Sequence, residues 1–302
     1  MDIRQMQYLL TLAEYRNFTK ASKALYISQP SLSSFVAKAE AELGVVLFDR
    51  STSPLTLTHA GEIYVKGAEE ILASCELLQK QLSDISSQKI GRIRVGIPNE
   101  RAAYMMPLIL PEYKKKYPRV SVQVATFNSA QMIDMLLGNR IDMAILPNST
   151  WSKEVASKDI YSEELVLVAN REIIREEHLV DGIHTAVDIH KLNDVPLITL
   201  NPRHGIRAFI DSLFAKNGIQ HNIVMEATSN ITAFRMATAG LGAAVVPRMT
   251  VELTKEAGET TPIYSLAACG THWNIVAAQR KDAYISQLEK DFIAIARRVF
   301  NP

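Results

Sequence analysis

The sequence predicts a multidomain chain: a small helical N-terminal domain with a two-stranded β-ribbon, a long linking helix, and a larger C-terminal α/β domain of two lobes. Residues 18–61 have the pattern of two short helices, a tight turn and a ribbon. From about residue 89, strand-like runs alternate with helical ones. A chain of 302 residues, 47% of them hydrophobic, is long enough to build two or more domains with cores of their own.

Composition restricts the class of protein. We find no charged, apolar and small-residue leader and no run of about eighteen apolar residues, so we expect a cytoplasmic protein with no membrane partner. Cys75 and Cys269 are too few for a disulfide framework or a thiolate metal site, and we expect two buried structural thiols. The net charge is +1, so the chain lacks the basic excess that nucleic-acid-binding proteins often carry.

The first predicted helix, residues 2–15, acts as a scaffold. Its apolar positions are three or four residues apart and form one stripe over the helices that follow. That stripe consists of Ile3, Met6, Leu10 and Ala13. A second, shorter helix comes next, and Thr19 is placed to serve as its N-cap.

The third predicted helix has two contrasting faces. Ser28 can cap it, Pro30 lies early where a missing N–H costs nothing, and Gly44 can end it. Its buried stripe is Leu32, Val36, Ala39 and Leu43. The opposite face is small, polar and nearly uncharged, which suits a helix that enters a groove about 12 Å wide and bonds to base edges. The alternative is a helical hairpin of an ordinary core, whose outward face would be richer in Glu and Lys.

A β-ribbon is expected after this helix. The runs VVLFDR and LTLT are strand-like, and the turn residues 51–54 separate them. Together with the helices, the ribbon would form a winged helix-turn-helix. Arg50 is the basic residue that this wing offers, at its base.

These residues carry a family resemblance. The pattern SQPSLSxxVxxxExxLGxxLFxR at residues 28–50, followed by LTxAG at residues 57–61, resembles the winged helix-turn-helix of the bacterial LysR-type transcriptional regulators. The resemblance implies a sequence-specific regulator that binds double-stranded operator or promoter DNA, with RNA polymerase as a further partner.

Within this domain we expect two kinds of DNA contact. Gln29, Ser33 and Ser34 should reach base edges, whereas Lys38 and Arg50 should contact phosphate. The full predicted DNA-binding set is Thr19, Gln29, Pro30, Ser31, Ser33, Ser34, Lys38, Arg50 and Ser51.

A long helix should follow, capped by Thr58 and running from about His59 to Ser87. Apolar residues spaced alternately by four and three form a heptad seam on an otherwise polar helix, which favours pairing with a second copy of the chain. The alternative is a helix that lies on its own domain. The seam is Tyr64, Ala68, Ile71, Cys75, Leu78, Leu82 and Ile85. We expect a homodimer or a homotetramer.

The C-terminal pattern predicts two β-α-β-α-β runs, and hence two small sheets. The first run begins with IRVGI at residues 93–97 and the second with ELVLVAN at residues 164–170. In proteins that this chain resembles, the last strand and helix return to complete the first lobe, which implies a periplasmic-binding-protein-like fold with a cleft. The predicted domains are 1–58 (winged helix-turn-helix), 59–88 (linker, dimerisation) and 89–302 (effector binding, with lobe I 89–163 and 268–302 and lobe II 164–267).

Catalytic motifs are not found. The sequence has no GxSxG, HExxH, CxxC, GxxxxGK[ST] or GxGxxG after a strand, and its seven histidines lack ligand spacing. We therefore expect no catalytic residue, metal or cofactor. An enzyme remains open only as an α/β domain with an unrecognised active site.

A small-molecule effector should bind where the strands of both lobes end, next to helix N-termini. Each loop there could instead cap its helix, and for Ser129 and Ser229 the two roles carry equal weight. Arg203 beside a helix start favours an anion, and Glu100 favours an amino acid over a simple organic acid. A DNA-binding assembly protein without effector and a solute-binding protein are the alternatives. The predicted effector set is Asn99, Glu100, Arg101, Asn128, Ser129, Asn148, Ser149, Pro202, Arg203, His204, Thr228, Ser229, Asn230 and Pro247.

Overall fold

The structure is a computed structural model that describes residues 2–86, 90–148, 152–202, 204–220, 222–254, 261–267 and 271–301. The chain forms two compact units, Met1–Gln88 and Lys89–Pro302, which we describe separately. None of the helices in these ranges is both long and apolar enough to cross a membrane.

The N-terminal unit contains four helices and a two-stranded ribbon. They are α1 (Ile3–Tyr15), α2 (Phe18–Ala24), α3 (Gln29–Leu43), β1 (Phe48–Asp49), β2 (Thr56–Leu57) and α4 (His59–Ser86). The ribbon is antiparallel, with Phe48 opposite Leu57, so the predicted wing is confirmed, with shorter strands than expected.

Helix caps explain where these helices begin and end. Ser28 Oγ accepts the backbone N–H of Ser31, and Gly44 ends α3 in the left-handed region at φ 68°, as predicted. The prediction that Thr19 caps α2 is wrong. The helix begins earlier, because Asn17 Oδ1 accepts the N–H of Lys20 at 3.0 Å, and asparagine is among the strongest N-caps. Thr19 lies exposed in the first turn.

The buried face of α1 differs from the predicted stripe. Met6 is buried as expected, but Leu9 and Leu12 are fully buried, whereas Ile3 is 50% exposed. Leu10 and Ala13, the other two predicted positions, are half-buried. Apolar residues stand next to one another in this segment, so it offers two stripes about 100° apart, and packing against α2, α3 and α4 selects one. On α3, Leu32, Val36 and Ala39 are buried as predicted, and Leu43 at the helix end is partly exposed.

One carboxylate attaches the wing to α3. Glu40 Oε1 accepts the N–H groups of Leu47 and Phe48 at 2.8 and 3.1 Å, and its Oε2 accepts a hydrogen bond from Arg50 Nη2 at 2.8 Å. The first two bonds satisfy backbone N–H groups that the short ribbon leaves unpaired. The wing therefore has a fixed position relative to α3.

Helix α4 begins as predicted, with Thr58 Oγ1 accepting the N–H of Gly61 at 3.0 Å. Residues 87–88 of the predicted linker lie outside the described residues. Tyr64 packs on the core of the N-terminal unit and Ala68 is buried. The seam beyond Ala68 is largely uncovered, and Cys75 in it is half-buried rather than buried. Its exposed apolar members are Ile71 (42%), Leu78 (57%), Leu82 (56%) and Ile85 (79%).

The C-terminal unit alternates strands and helices along most of its length. Its elements are β3 (Gly91–Gly96), α5 (Asn99–Lys116), β4 (Val120–Ala125), α6 (Ser129–Leu137), β5 (Met143–Pro147), β6 (Val155–Val168), β7 (Leu179–Val180), β8 (Ile183–Asp188), β9 (Pro196–Leu200), α7 (Gly205–Lys216), β10 (Asn222–Ala227), α8 (Asn230–Thr238), β11 (Ala243–Pro247), α9 (Arg248–Thr254), β12 (Ile263–Ala267), β13 (His272–Arg280) and α10 (Gln287–Phe300).

The two predicted sheets are hydrogen-bonded into one. The strand order is β10-β9-β11-β6-β13-β5-β3-β4. Off this path, β12 pairs with β6, β8 pairs with β12, and β7 pairs with β8. Residues 155–164 of β6 pair with β13, and residues 165–168 pair with β11. The two predicted sets of strands are therefore present and share β6. The sequence did not predict this connection, because the first part of β6 is polar and mostly exposed and lacks the apolar alternation that marks a strand.

The end of the chain returns to the first half of the sheet, as the resemblance implied. Strand β13 pairs with β5, and α10 packs on α5, where Tyr113 and Phe292 are both fully buried with ring centroids 5.3 Å apart. Ser286 caps α10, which therefore begins at Gln287.

Candidate functional site

The outward face of α3 is the candidate nucleic-acid interface. Gln29, Pro30, Ser31 and Ser34 are exposed, and Ser33 is half-buried. Ser31 shares a 2.7 Å hydroxyl contact with Ser28. At the far end of the face, the Lys38 ammonium lies 3.9 Å from Glu42 in an exposed pair. Because such pairs are weak, Lys38 remains able to reach a phosphate.

Two predicted contacts near the wing also have structural partners. Besides its bond to Glu40, the Arg50 guanidinium lies 5.5 Å from the ring centroid of Phe18, and its side chain is 43% exposed. Ser51 donates from N and Oγ to Asp49 Oδ1 at 2.9 and 2.6 Å, and these hydrogen bonds, the hydroxyl bond above all, lower the pKa of Asp49. Because Glu40 accepts one N–H group of Arg50, Arg50 can bind a phosphate only through its remaining N–H groups.

A cavity of about 650 Å³ lies in the C-terminal unit at the carboxyl ends of its strands. It brings together most of the predicted effector residues from both halves of the sheet. Those that line it are Asn99, Glu100, Arg101, Asn128, Ser129, His204, Thr228, Ser229, Asn230 and Pro247. Asn148 and Pro202 are exposed and do not line it, and Ser149 and Arg203 lie outside the described residues.

Much of the cavity wall is apolar, which the sequence did not indicate. Phe127 and Met249 are next to predicted loop residues, so extending each loop by one or two positions would have found them. Ile206 and Ile231 lie in the first turns of α7 and α8. Trp273 comes from β13, and no local pattern connects it with the other residues.

Arg101 does not present a free guanidinium to the cavity. Its side chain is 3% exposed, and Nη2 lies 2.8 Å from Oε2 of Glu163, which is 2% exposed. Arg101 Nη1 donates to the Tyr161 hydroxyl at 2.8 Å, and Trp273 Nε1 donates to Glu163 at 2.9 Å. Burial raises the pKa of Tyr161, so it stays a neutral hydroxyl. Glu163 balances the charge of Arg101, one of the predicted effector residues, and no signal in the sequence indicated Glu163 itself.

Glu100 binds the N-terminus of α8. Its Oε2 accepts Asn230 Nδ2 at 2.7 Å, and its Oε1 accepts the backbone N–H of Ile231 at 3.2 Å. A carboxylate is favoured there because a helix N-terminus has unsatisfied N–H groups and partial positive charge. Ser229 caps the same helix, with Oγ accepting the N–H of Thr232 at 3.1 Å, as one of its two expected roles.

At α6 the cap is Asn128 and not Ser129. Asn128 Oδ1 accepts the N–H of Gln131 at 2.9 Å, and the Gln131 side chain returns a bond to Asn128 N, which completes a capping box. Ser129 is the first residue of the helix and lines the cavity.

His204 precedes α7, and its Nδ1 is buried without a hydrogen-bond partner among the described residues. Burial lowers the pKa of the imidazole, against an opposing effect of the Glu100 charge, so His204 is neutral at pH 7. Within the described ranges, no three or more His, Cys, Asp or Glu side chains group in a way that could hold a metal ion.

A winged helix-turn-helix unit combined with an α/β unit that carries a ligand-sized cavity at its strand ends defines a ligand-responsive DNA-binding regulator. Comparison with protein families gives the same result. Residues 3–62 match the family of bacterial regulatory helix-turn-helix proteins of the lysR type, and residues 86–301 match the LysR substrate binding domain. The chain belongs to the LysR family of DNA-binding transcriptional regulators, with an effector-binding domain.

Individual relatives cover nearly the whole chain. The uncharacterized HTH-type transcriptional regulator YcgK of Bacillus subtilis is 30% identical, over 98% of this chain and 94% of that protein. Full-length OxyR from Pseudomonas aeruginosa has the same fold, with a TM-score of 0.69 at 23% identity, covering 99% of this chain and 94% of that one. CbnR in complex with its target DNA gives a TM-score of 0.68 at 23% identity, covering 99% and 100%.

Proposed function

We propose that this regulator reads its operator with the outward face of α3. The observation that carries this proposal is the contrast between the two sides of one helix. Leu32, Val36 and Ala39 are fully buried, while the opposite face, from Gln29 to Lys38, is polar and accessible. Gln29 and the serines have the donors and acceptors that base edges require, and Lys38 has the charge that phosphate requires.

We further propose that α4 pairs with α4 of a second copy. Four large apolar side chains on its seam are between 42% and 79% exposed in the single chain. Full burial of such a side chain contributes about 1.5–3 kcal/mol, so covering the seam with its symmetry mate is strongly favoured. Tyr64 packs on the core of its own unit and Ala68 is buried, so we place the start of the pairing region at Ile71. A tetramer would be built from two such dimers.

The proposed effector site is the cavity of the C-terminal unit. Its combination of apolar walls and a few polar groups is typical of small-molecule sites. The contacts proposed from the sequence for Ser149 and Arg203 stay predictions.

The proposed domain boundaries, 1–58, 59–88 and 89–302, agree with the family matches in order, and the change of partner within β6 at residue 164 supports a lobe boundary there. Lobe I is 89–163 with 268–302, and lobe II is 164–267.

Genome-wide mapping of the bound DNA tests the function. We expect a limited set of promoter sites, each with two half-sites separated by whole helical turns, because a two-fold dimer presents two α3 helices. Metabolites of the adjacent genes are then titrated into the full-length protein by calorimetry. Uniform binding without preferred sites would contradict the proposed reading of bases. Specific sites without any metabolite binding would instead favour a DNA-binding assembly protein.

A further inference from the structure

Among the residues that the structure describes, the wall of the effector cavity carries one charge that no ion pair balances. Of the described residues that line it, only Glu100 and Arg101 are formally charged while His204 is neutral. The Arg101 charge is balanced by Glu163 at 2.8 Å, and both side chains are buried. Within the described part of the chain, Glu100 accepts hydrogen bonds from two neutral donors, Asn230 Nδ2 and Ile231 N. The described wall therefore has a net negative charge.

Glu100 also fills the position that an anionic ligand would use. The N-terminus of α8 is an anion-binding position by its geometry, and both carboxylate oxygens of Glu100 occupy it. A ligand carboxylate at the same place would have to displace Glu100 or lie beside it against charge repulsion. Each carboxylate oxygen can accept two hydrogen bonds and uses one here. Glu100 therefore keeps the capacity to accept N–H donors from a ligand.

The remaining wall suits an apolar body. The ring of Trp273 is held in place by its bond to Glu163, and Phe127, Ile206 and Met249 add further apolar surface. Such surfaces gain free energy by covering the hydrocarbon part of a ligand.

We propose that the cavity selects a ligand with a cationic nitrogen attached to an apolar body, and that Glu100 binds the nitrogen. This inference rests on the proposed function and names the chemical class of the effector. The charge of such a ligand is opposite to that of a simple organic acid. An amino acid remains compatible if its ammonium group meets Glu100.

Three probes that share a phenyl body and differ in charge test the selection: 2-phenylethylamine, 3-phenylpropionate and 2-phenylethanol. Each is titrated by calorimetry into the full-length protein, and into variants Glu100→Gln and Glu172→Gln. The amide introduced by Glu100→Gln keeps an acceptor for Ile231 N. The Asn230 amide can turn so that its Oδ1, which has no hydrogen-bond partner among the described residues, accepts from the new amide. Glu172 is exposed and serves as the matched control.

In the wild type we expect the amine to bind at least about tenfold more tightly than the carboxylate, and Glu100→Gln to weaken the amine about tenfold while the alcohol changes little. Glu172→Gln should behave as wild type. Binding is located by Trp273 fluorescence in a Trp151→Phe background, since the sequence has two tryptophans.

Tighter binding of the carboxylate, or an amine affinity unchanged by Glu100→Gln, would overturn the inference. If the carboxylate binds while operator binding persists, the effector site stands and only its charge preference fails, and loss of that binding in Arg203→Ala would assign the anion to Arg203. If no probe of any charge binds, the inference fails, and the titrations with metabolites of the adjacent genes decide separately whether the effector site stands.

Discussion

The carboxylate of Glu40 on α3 lies 2.8 Å from the guanidinium of Arg50 at the base of the wing. Glu40 is 11% exposed and Arg50 is 43% exposed, so the acid is the buried member of the pair. Because Glu40 also accepts two backbone N–H groups, it connects the helix that we propose reads DNA with the ribbon beside it. Arg50 contributes one of three bonds in this arrangement and is the more replaceable partner.

Replacing Glu40 should therefore cost more than replacing Arg50. Glu40→Ala leaves the N–H groups of Leu47 and Phe48 without their acceptor, and we expect a loss of about 2–3 kcal/mol in the stability of the N-terminal unit. Arg50→Ala removes one partly exposed ion pair and should cost about 1 kcal/mol or less. Chemical denaturation measures both, with the exposed Glu14→Ala as control. Equal losses for Glu40→Ala and Glu14→Ala would show that Glu40 does not hold the wing.

Base-reading and phosphate-binding residues should respond differently to substitution. Gln29→Ala or Ser33→Ala should weaken binding to the specific operator by about 1–3 kcal/mol and leave random DNA nearly unaffected. Lys38→Ala should weaken both and lower the slope of log K against log salt by about one. Fluorescence anisotropy on an operator duplex and a scrambled duplex gives these values. If Ser33→Ala and Gln29→Ala lost affinity equally on both duplexes, neither residue would read bases.

The seam on α4 predicts that substitutions at two neighbouring positions have very different effects on the dimer. Leu78→Glu would place a carboxylate against its symmetry mate and should dissociate the dimer. Gln79→Glu adds the same charge at an exposed position next to the seam and should leave the dimer intact. Analytical ultracentrifugation of both variants gives the result. An unchanged dimer in Leu78→Glu would place the interface elsewhere.

Sequence reasoning was most accurate where a structure depends on neighbouring residues. Ser28 and Thr58 each cap a helix by bonding three residues ahead, and Gly44 ends α3 in a conformation that glycine adopts freely. The strand ends of the α/β unit could also be predicted, because apolar runs and polar loops alternate there. This was sufficient to predict about half of the residues that line the cavity.

The charges of the cavity could not be predicted in the same way. Glu100 bonds to a backbone N–H 131 residues away, and Arg101 pairs with a glutamate 62 residues away. Neither partner has a local signal, because the pairings depend on how strands are ordered in the sheet. Glu163 in particular belongs to the polar part of β6, which the pattern did not mark as a strand. Arg101, which was predicted to contact the effector, is therefore part of an internal ion pair.

His204 should make the C-terminal unit less stable in mild acid. Its pKa is lowered from 6.5 by burial, so the unfolded chain binds a proton at a pH where the folded chain does not. Stability due to the neutral imidazole is complete above pH 6.5 and is lost as the pH falls through the lowered value. His204→Gln should reduce this dependence, and the exposed His184→Gln should not. Denaturant titrations at several pH values test it, and an identical pH profile in His204→Gln would remove His204 as the cause.

The ion pair between Arg101 and Glu163 should be sensitive to loss of one member and tolerant of losing both. Glu163→Gln keeps the shape of the side chain but leaves the buried guanidinium unbalanced, so we expect a loss of about 3–5 kcal/mol. The double variant Arg101→Met/Glu163→Leu removes both charges and should be the more stable of the two.

Urea unfolding followed by Trp273 fluorescence in the Trp151→Phe background measures both variants. Glu112→Gln, in an exposed pair with Lys115, is the control and should not change stability measurably. A double variant less stable than Glu163→Gln would mean that hydrogen bonds to Tyr161 and Trp273, and not charge balance, are the main contribution of this pair.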